Sequence, residues 1–103
     1  MAKGYWVAHV DVTDPEAYKA YMAANAAAFK KFGARFLVLG GAALTMEGNL
    51  RARTMVIEFA DYETALACYR SPEYTDARAL RKGVSIGDLQ VVQGYDGPQP
   101  SDG

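Results

Sequence analysis

Residues 53–81 read RTMVIEFADYETALACYRSPEYTDARALR, and the fold turns on them. Thr54 to Phe59 is an apolar run of strand length, rich in β-branched and aromatic side chains. Asp61 then opens a helix from Tyr62 to about Arg70. Ser71-Pro72-Glu73 ends that helix and starts another, because serine caps free N–H groups and proline fits the first helical turn. A strand followed at once by two short helices buries its apolar side chains only if the helices fold back onto it. Met55, Val56, Ile57 and Phe59 are therefore expected at the centre of the core, with Leu66, Tyr69, Tyr74 and Leu80 as its helical side.

Upstream, Tyr5 to Val12 alternates with the period of a strand: Trp6, Ala8, Val10 and Val12 share one face, and Tyr5, Val7, His9 and Asp11 the other. Thr13-Asp14-Pro15-Glu16 opens a helix, either through a Thr-x-x-Glu capping box or with Asp14 as N-cap and Pro15 first. That helix should reach Phe32 and stop at Gly33. Its apolar stripe is Tyr18, Tyr21, Met22, Ala28, Phe29 and Phe32, and Asn25 lies inside it. An amide on a buried face needs hydrogen-bond partners, so Asn25 is either a satisfied core group or a group lining a pocket.

Arg35 to Leu39 reads as a strand, and Gly40-Gly41 interrupts it, as a bulge or a hairpin turn, before a further extended segment from Leu44 to Glu47. A last strand is expected from Asp88 to Tyr95. The order β-α-β-β-α-β predicts an α+β ferredoxin-like sandwich, an antiparallel sheet with helices on one face. One domain should span residues 1–96, and residues 97–103 a flexible tail with nothing to bury.

With 103 residues, half of them hydrophobic, the chain has room for a single core. A net charge of −1 leaves no electrostatic footprint for nucleic acid or an anionic membrane, and no apolar run approaches the roughly 18 residues of a membrane span. One cysteine and one histidine supply neither an internal disulfide nor a His/Cys zinc cluster. Glycine-rich phosphate loops, H-E-x-x-H and G-x-S-x-G motifs are missing. The expectation is a cytoplasmic protein with no cofactor, metal, nucleic acid or membrane partner.

Large apolar groups occupy both faces of the strands, as Val38 and Val56 do between Leu37, Leu39, Met55 and Ile57. The face away from the helices then needs cover, and a two-fold homodimer packing sheet on sheet supplies it.

Several side chains carry candidate chemistry. His9 and Asp11 share a strand face, so Asp11 could set the tautomer of His9 as a general base requires. Glu58, inside the most apolar strand, needs a partner such as Arg35 or Arg53, or a raised pKa suited to an acid. Glu47 has the same two readings beside a turn. Trp6, Tyr18, Tyr21, Asn25, Arg35 and Phe36 are the candidate ligand-binding residues, most of them walls of a cleft between the sheet and the first helix that would take a small apolar or aromatic molecule. Tyr74, Arg78 and Arg81 recur along one side of the last helix, as a solvated face or an anion-binding edge. Cys68, far in sequence from the sole histidine, reads as a small buried hydrophobe.

Gly4-Tyr5-Trp6, Val10-Asp11-Val12-Thr13-Asp14-Pro15, Gly33-Ala34-Arg35-Phe36-Leu37-Val38, Ile57-Glu58-Phe59 and Tyr69-Arg70-Ser71-Pro72-Glu73-Tyr74 resemble the domain-of-unknown-function 1330 family of the dimeric α+β barrel superfamily. So do Gly40-Gly41, Glu47-Gly48, Arg81 and Gly94. The resemblance implies a ferredoxin-like monomer and a barrel made by two sheets. It implies no single activity, since the superfamily includes cofactor-free monooxygenases, haem-degrading enzymes and isomerases. Family members often carry arginine where this chain has His9 and Leu39, so the resemblance brings no cation to the latter position. A cofactor-independent monooxygenase or proton-transfer enzyme using His9 or Glu58 is the second functional expectation.

Overall fold

A computed structural model describes residues 2–102. Strand β1, Gly4–Val12, is the hub of a four-stranded antiparallel sheet. It pairs on one side with β3, Arg53–Phe59, and on the other with β4, Ser85–Gln93, while β2, Arg35–Leu39, forms the edge beyond β3. The order β2-β3-β1-β4 is that of a ferredoxin-like sandwich.

Helix α1, Pro15–Phe32, connects β1 to β2. Asp14 is its N-cap, with Oδ1 accepting from the Ala17 N–H at 3.1 Å, so the Asp14-Pro15 start is the one adopted. Gly33 ends it in the left-handed region at φ 68°, where its N–H and that of Ala34 return to the last helical carbonyls. Helices α2, Tyr62–Arg70, and α3, Pro72–Ala79, lie on the same side of the sheet as α1. Ser71 joins them: its hydroxyl donates to the Cys68 carbonyl at 2.7 Å and accepts from the Tyr74 N–H at 3.1 Å.

The core forms around Trp6. Its indole lies 4.8 to 5.7 Å, centroid to centroid, from Phe29, Phe59, Tyr69 and Tyr74, and its Nε1 donates to the Ala65 carbonyl at 2.8 Å. Met55, Ile57 and Phe59 are buried as expected. Val56 faces the other side of the sheet, and Leu80, the residue closing α3, is 48% exposed; Tyr74 is fully buried and Tyr69 packs on Trp6 as expected, and Ala65, Cys68 and Ala77 complete the helical side.

The expected segment Leu44 to Glu47 is not a strand. β2 has its irregularity at Phe36 to Val38 rather than at the glycine pair. Gly40 keeps one more sheet bond, N–H to the Thr54 carbonyl at 2.9 Å, at φ 62°, and this left-handed turn lifts the chain out of the sheet. Residues 41–52 then form a long arm in which Leu44 and Met46 are 81% exposed and Leu50 is 55% exposed. The radius of gyration, 14.7 Å, exceeds the roughly 13 Å usual for 100 residues. β4 begins earlier than expected, because Ser85, Ile86 and Gly87 pair with Val12, Asp11 and Val10. Beyond β4 the Tyr95 hydroxyl donates to the Pro98 carbonyl at 2.7 Å, and Pro100–Asp102 makes a turn of 3-10 helix.

Candidate functional site

Strand alternation divides the candidate residues between two faces of the sheet. On the helix face, Trp6, Ala8 and Val10 of β1 align with Ile57 and Met55 of β3 and with Phe36 of β2. Tyr18, Tyr21, Met22 and Asn25 of α1 close over them, and Arg81 and Leu89 complete the wall. The cleft so formed is closed down to about 20 Å³, space for a single water molecule.

Asn25 is 5% exposed, and its side-chain amide enters no hydrogen bond among the described residues. It is not a sealed polar group either: Glu73 Oε1 is the one fully enclosed side-chain polar atom without a partner among the described residues. The Asn25 amide therefore opens onto the cleft. Tyr21 beside it is fixed by a hydroxyl pair with Tyr74 at 2.7 Å, and its ring carries the Arg81 guanidinium at 5.4 Å. Burial raises the pKa of Tyr18 and of Tyr74, and the Arg81 charge works against the rise at both.

On the open face, Tyr5, Val7 and His9 align with Glu58, Val56 and Thr54 of β3, and Asp11 follows beyond the end of that pairing. His9 Nδ1 and Thr54 Oγ1 are hydrogen-bonded at 3.2 Å. Asp11 does not serve His9: Oδ1 accepts from the Ala52 N–H at 2.9 Å and Oδ2 from Arg51 Nη1 at 3.0 Å, and these bonds hold its carboxyl below the usual carboxylate range. Arg51 also donates from Nε to Asp88 Oδ2 at 3.1 Å, tying the arm to β1 and β4. An open hollow of about 350 Å³ lies over this cluster.

Arg35 is opposite Glu58 in the register but forms no ion pair with it within 4.0 Å among the described residues. Arg53 lies on the helix face over the Tyr18 ring at 5.9 Å, out of reach of Glu58. Trp6, Tyr18, Tyr21, Asn25 and Phe36 thus meet in one cleft; Arg35, His9, Asp11 and Glu58 are across the sheet from it. Glu47 is in the exposed arm. Among the described residues no three His, Cys, Asp or Glu side chains gather as a metal would need.

Arg81 is the cleft residue that sequence reading put elsewhere. The Tyr74, Arg78, Arg81 stripe looks like a solvated helix side, but α3 ends at Ala79, Tyr74 is fully buried, and the following turn swings Arg81 over Tyr21.

Residues 3–95 match the sequence family described as domain of unknown function (DUF1330). The chain belongs to the DUF1330 family. No curated protein matches this DUF1330 chain. Among solved structures, a protein of unknown function from Rhodopseudomonas palustris is 17% identical, with a TM-score of 0.71 over 94% of this chain and 85% of its own. SnoaB, a cofactor-independent oxygenase from Streptomyces nogalater, is 14% identical with a TM-score of 0.59, covering 97% of this chain and 99% of its own. An ethyl tert-butyl ether D (EthD) family protein from Bacillus halodurans is 14% identical with a TM-score of 0.56, over 92% and 100%. At these identities the likeness is one of fold alone, the α+β ferredoxin-like sandwich. No described helix is long and apolar enough to cross a membrane.

The same side chains set a pH window for stability. Burial pushes the Cys68 thiol up to about 12 and raises Tyr18 and Tyr74, so the folded chain holds these protons more tightly than the unfolded one. Their contribution is whole below the unfolded pKa and is lost as pH rises above about 9. Hydrogen bonds from Thr64 to Asp61 and from Lys31 to Glu73 lower those carboxyls, as Ala52 and Arg51 lower Asp11. That contribution is lost as pH falls below about 4. Thermal melts across pH should show a plateau from about pH 5 to 9 and a fall on either side; a rise in stability from pH 9 to 11 would contradict the buried thiol and phenols.

Proposed function

We propose that the chain is a homodimeric small-molecule binding protein, whose ligand is a small apolar or aromatic compound held between α1 and the sheet. The observation that carries this reading is Asn25. An amide that opens onto the cleft with no protein partner adds little to the core, and a purely structural interior would hold an apolar residue of the same size there. Its aromatic and aliphatic surroundings fit a ligand that is mostly apolar and is oriented by one or two polar contacts.

Entry calls for side-chain movement, and the cleft has suitable parts. Met22 is half-buried and unbranched, and Phe36, 43% exposed, sits on the edge strand. Among the described residues no carboxylate or imidazole lines the cleft, since His9 and Glu58 lie on the other face; this favours binding over proton-transfer chemistry on this ligand.

The dimer rests on the open face. Val7, Val38 and Val56 make an apolar row across three strands, flanked by Tyr5 and by Val92, and no helix among the described residues covers it. The arm with Leu44, Met46 and Leu50 would find cover on the same partner.

Asn25→Leu tests the ligand site. The variant should unfold at higher denaturant, with a gain of about 1–2 kcal/mol, while losing ligand. A loss of stability would mean that the amide supports the core and is not kept for binding.

A further inference from the structure

Arg81 belongs to two hollows at once. It closes one end of the cleft under α1 and also lines an open groove of about 570 Å³ between α3 and the start of β4, with Thr75, Arg78, Lys82 and Ser85. Among the described residues no carboxylate lines this groove, and no ion pair uses any of its three cations.

Arg78 has its own anchor: Nη1 donates to the Tyr69 hydroxyl at 2.7 Å, and the guanidinium lies 5.3 Å from the centre of that ring. Arg81 has only its seat on Tyr21, and its side chain enters no hydrogen bond among the described residues. A half-buried guanidinium is thus held by an aromatic face with its donors unmatched, in the same wall as the unmatched amide of Asn25.

We propose that the ligand of the cleft is an acid: an aromatic or apolar molecule bearing a carboxylate, its body against Trp6, Tyr21 and the Asn25 amide and its carboxylate on Arg81. This rests on the cleft being the binding site. Two parallel N–H···O bonds match a carboxylate to a guanidinium, and partial burial strengthens the pair relative to one in open water. Arg78 and Lys82 in the groove outside add a positive field at the Arg81 end of the cleft, which favours an anionic group there. The groove is also wide enough to leave the acid group partly hydrated, which avoids the full desolvation cost of a buried charge.

Benzoate and benzamide separate the two ideas, since they share a ring and differ in charge. Trp6, the only tryptophan, lies in the cleft wall, so its emission reports binding to the full-length chain. Benzoate should bind at least about tenfold more tightly than benzamide. Arg81→Gln should erase that preference by weakening benzoate alone, and Arg81→Lys should restore part of it. Equal affinity for both compounds in the unmodified chain would overturn the acid assignment and leave the cleft standing. Binding of neither would overturn both, and a benzoate preference that survives Arg81→Gln would overturn the role of Arg81.

Discussion

Trp6→Ala should cost about 4–6 kcal/mol, most of the stability a domain of this size possesses. The indole touches four aromatic rings from α1, α2, α3 and β3, so no neighbouring group can collapse into the space it leaves. Truncation also removes the hydrogen bond from Nε1 to the Ala65 carbonyl at 2.8 Å. The cavity accounts for about 3–5 kcal/mol and the lost hydrogen bond for about 1 kcal/mol more. Trp6→Phe keeps a ring but not the donor and should cost only about 2 kcal/mol. Urea unfolding followed by far-ultraviolet circular dichroism measures both. A Trp6→Ala loss below about 1 kcal/mol would mean that the indole is not the centre of the core.

The second large effect concerns assembly. In the proposed dimer, Val7→Lys combined with Val56→Lys should leave a folded monomer at micromolar concentration, a weakening of about a thousandfold or more. Val7 and Val56 are register partners on the open face, so four ammonium groups would meet between two sheets without counterions. In the separated chain the same lysines extend their stems along the strands and keep their charges in water, at little cost to the fold. Sedimentation velocity distinguishes the outcomes. A double variant that remains dimeric would exclude this face as the interface.

The elements that speak most clearly in the sequence are those whose local chemistry and tertiary role agree. β1 alternates because one face meets helices and the other does not, so its two sets of side chains could be read directly. Asp14, Asp61, Ser71 and Gly33 mark helix ends through hydrogen bonds made within a few residues, and each is found doing so. Long-range partners decide the rest. Leu44 and Met46 are apolar enough for a strand, but a strand exists only beside another, and the turn at Gly40 carries them away from β3. Ile86 and Gly87 look like a loop until Asp11 and Val10 pair with them.

The candidate site was legible to the same degree. Helical periodicity put Tyr18, Tyr21 and Asn25 on one face of α1, and the strand pattern put Trp6 opposite them. Proximity on a strand face suggested a pair between His9 and Asp11, whereas Asp11 is claimed by Arg51 and Ala52 from an arm whose path the sequence does not reveal. Arg35 lies across the sheet from the cleft, opposite Glu58 as the strand pattern suggested, but without the ion pair, since the spacing of the two side chains is a property of the sheet. Arg81 escaped because its position depends on where α3 stops.

Native mass spectrometry of the purified chain, followed by a denatured spectrum of the same sample, probes the binding reading most directly. The expected result is a dimer carrying one small noncovalent mass per protomer, released on denaturation and missing from Asn25→Leu. A dimer at the bare mass of two chains, unchanged by added benzoate or benzamide, would contradict a ligand in the cleft under α1.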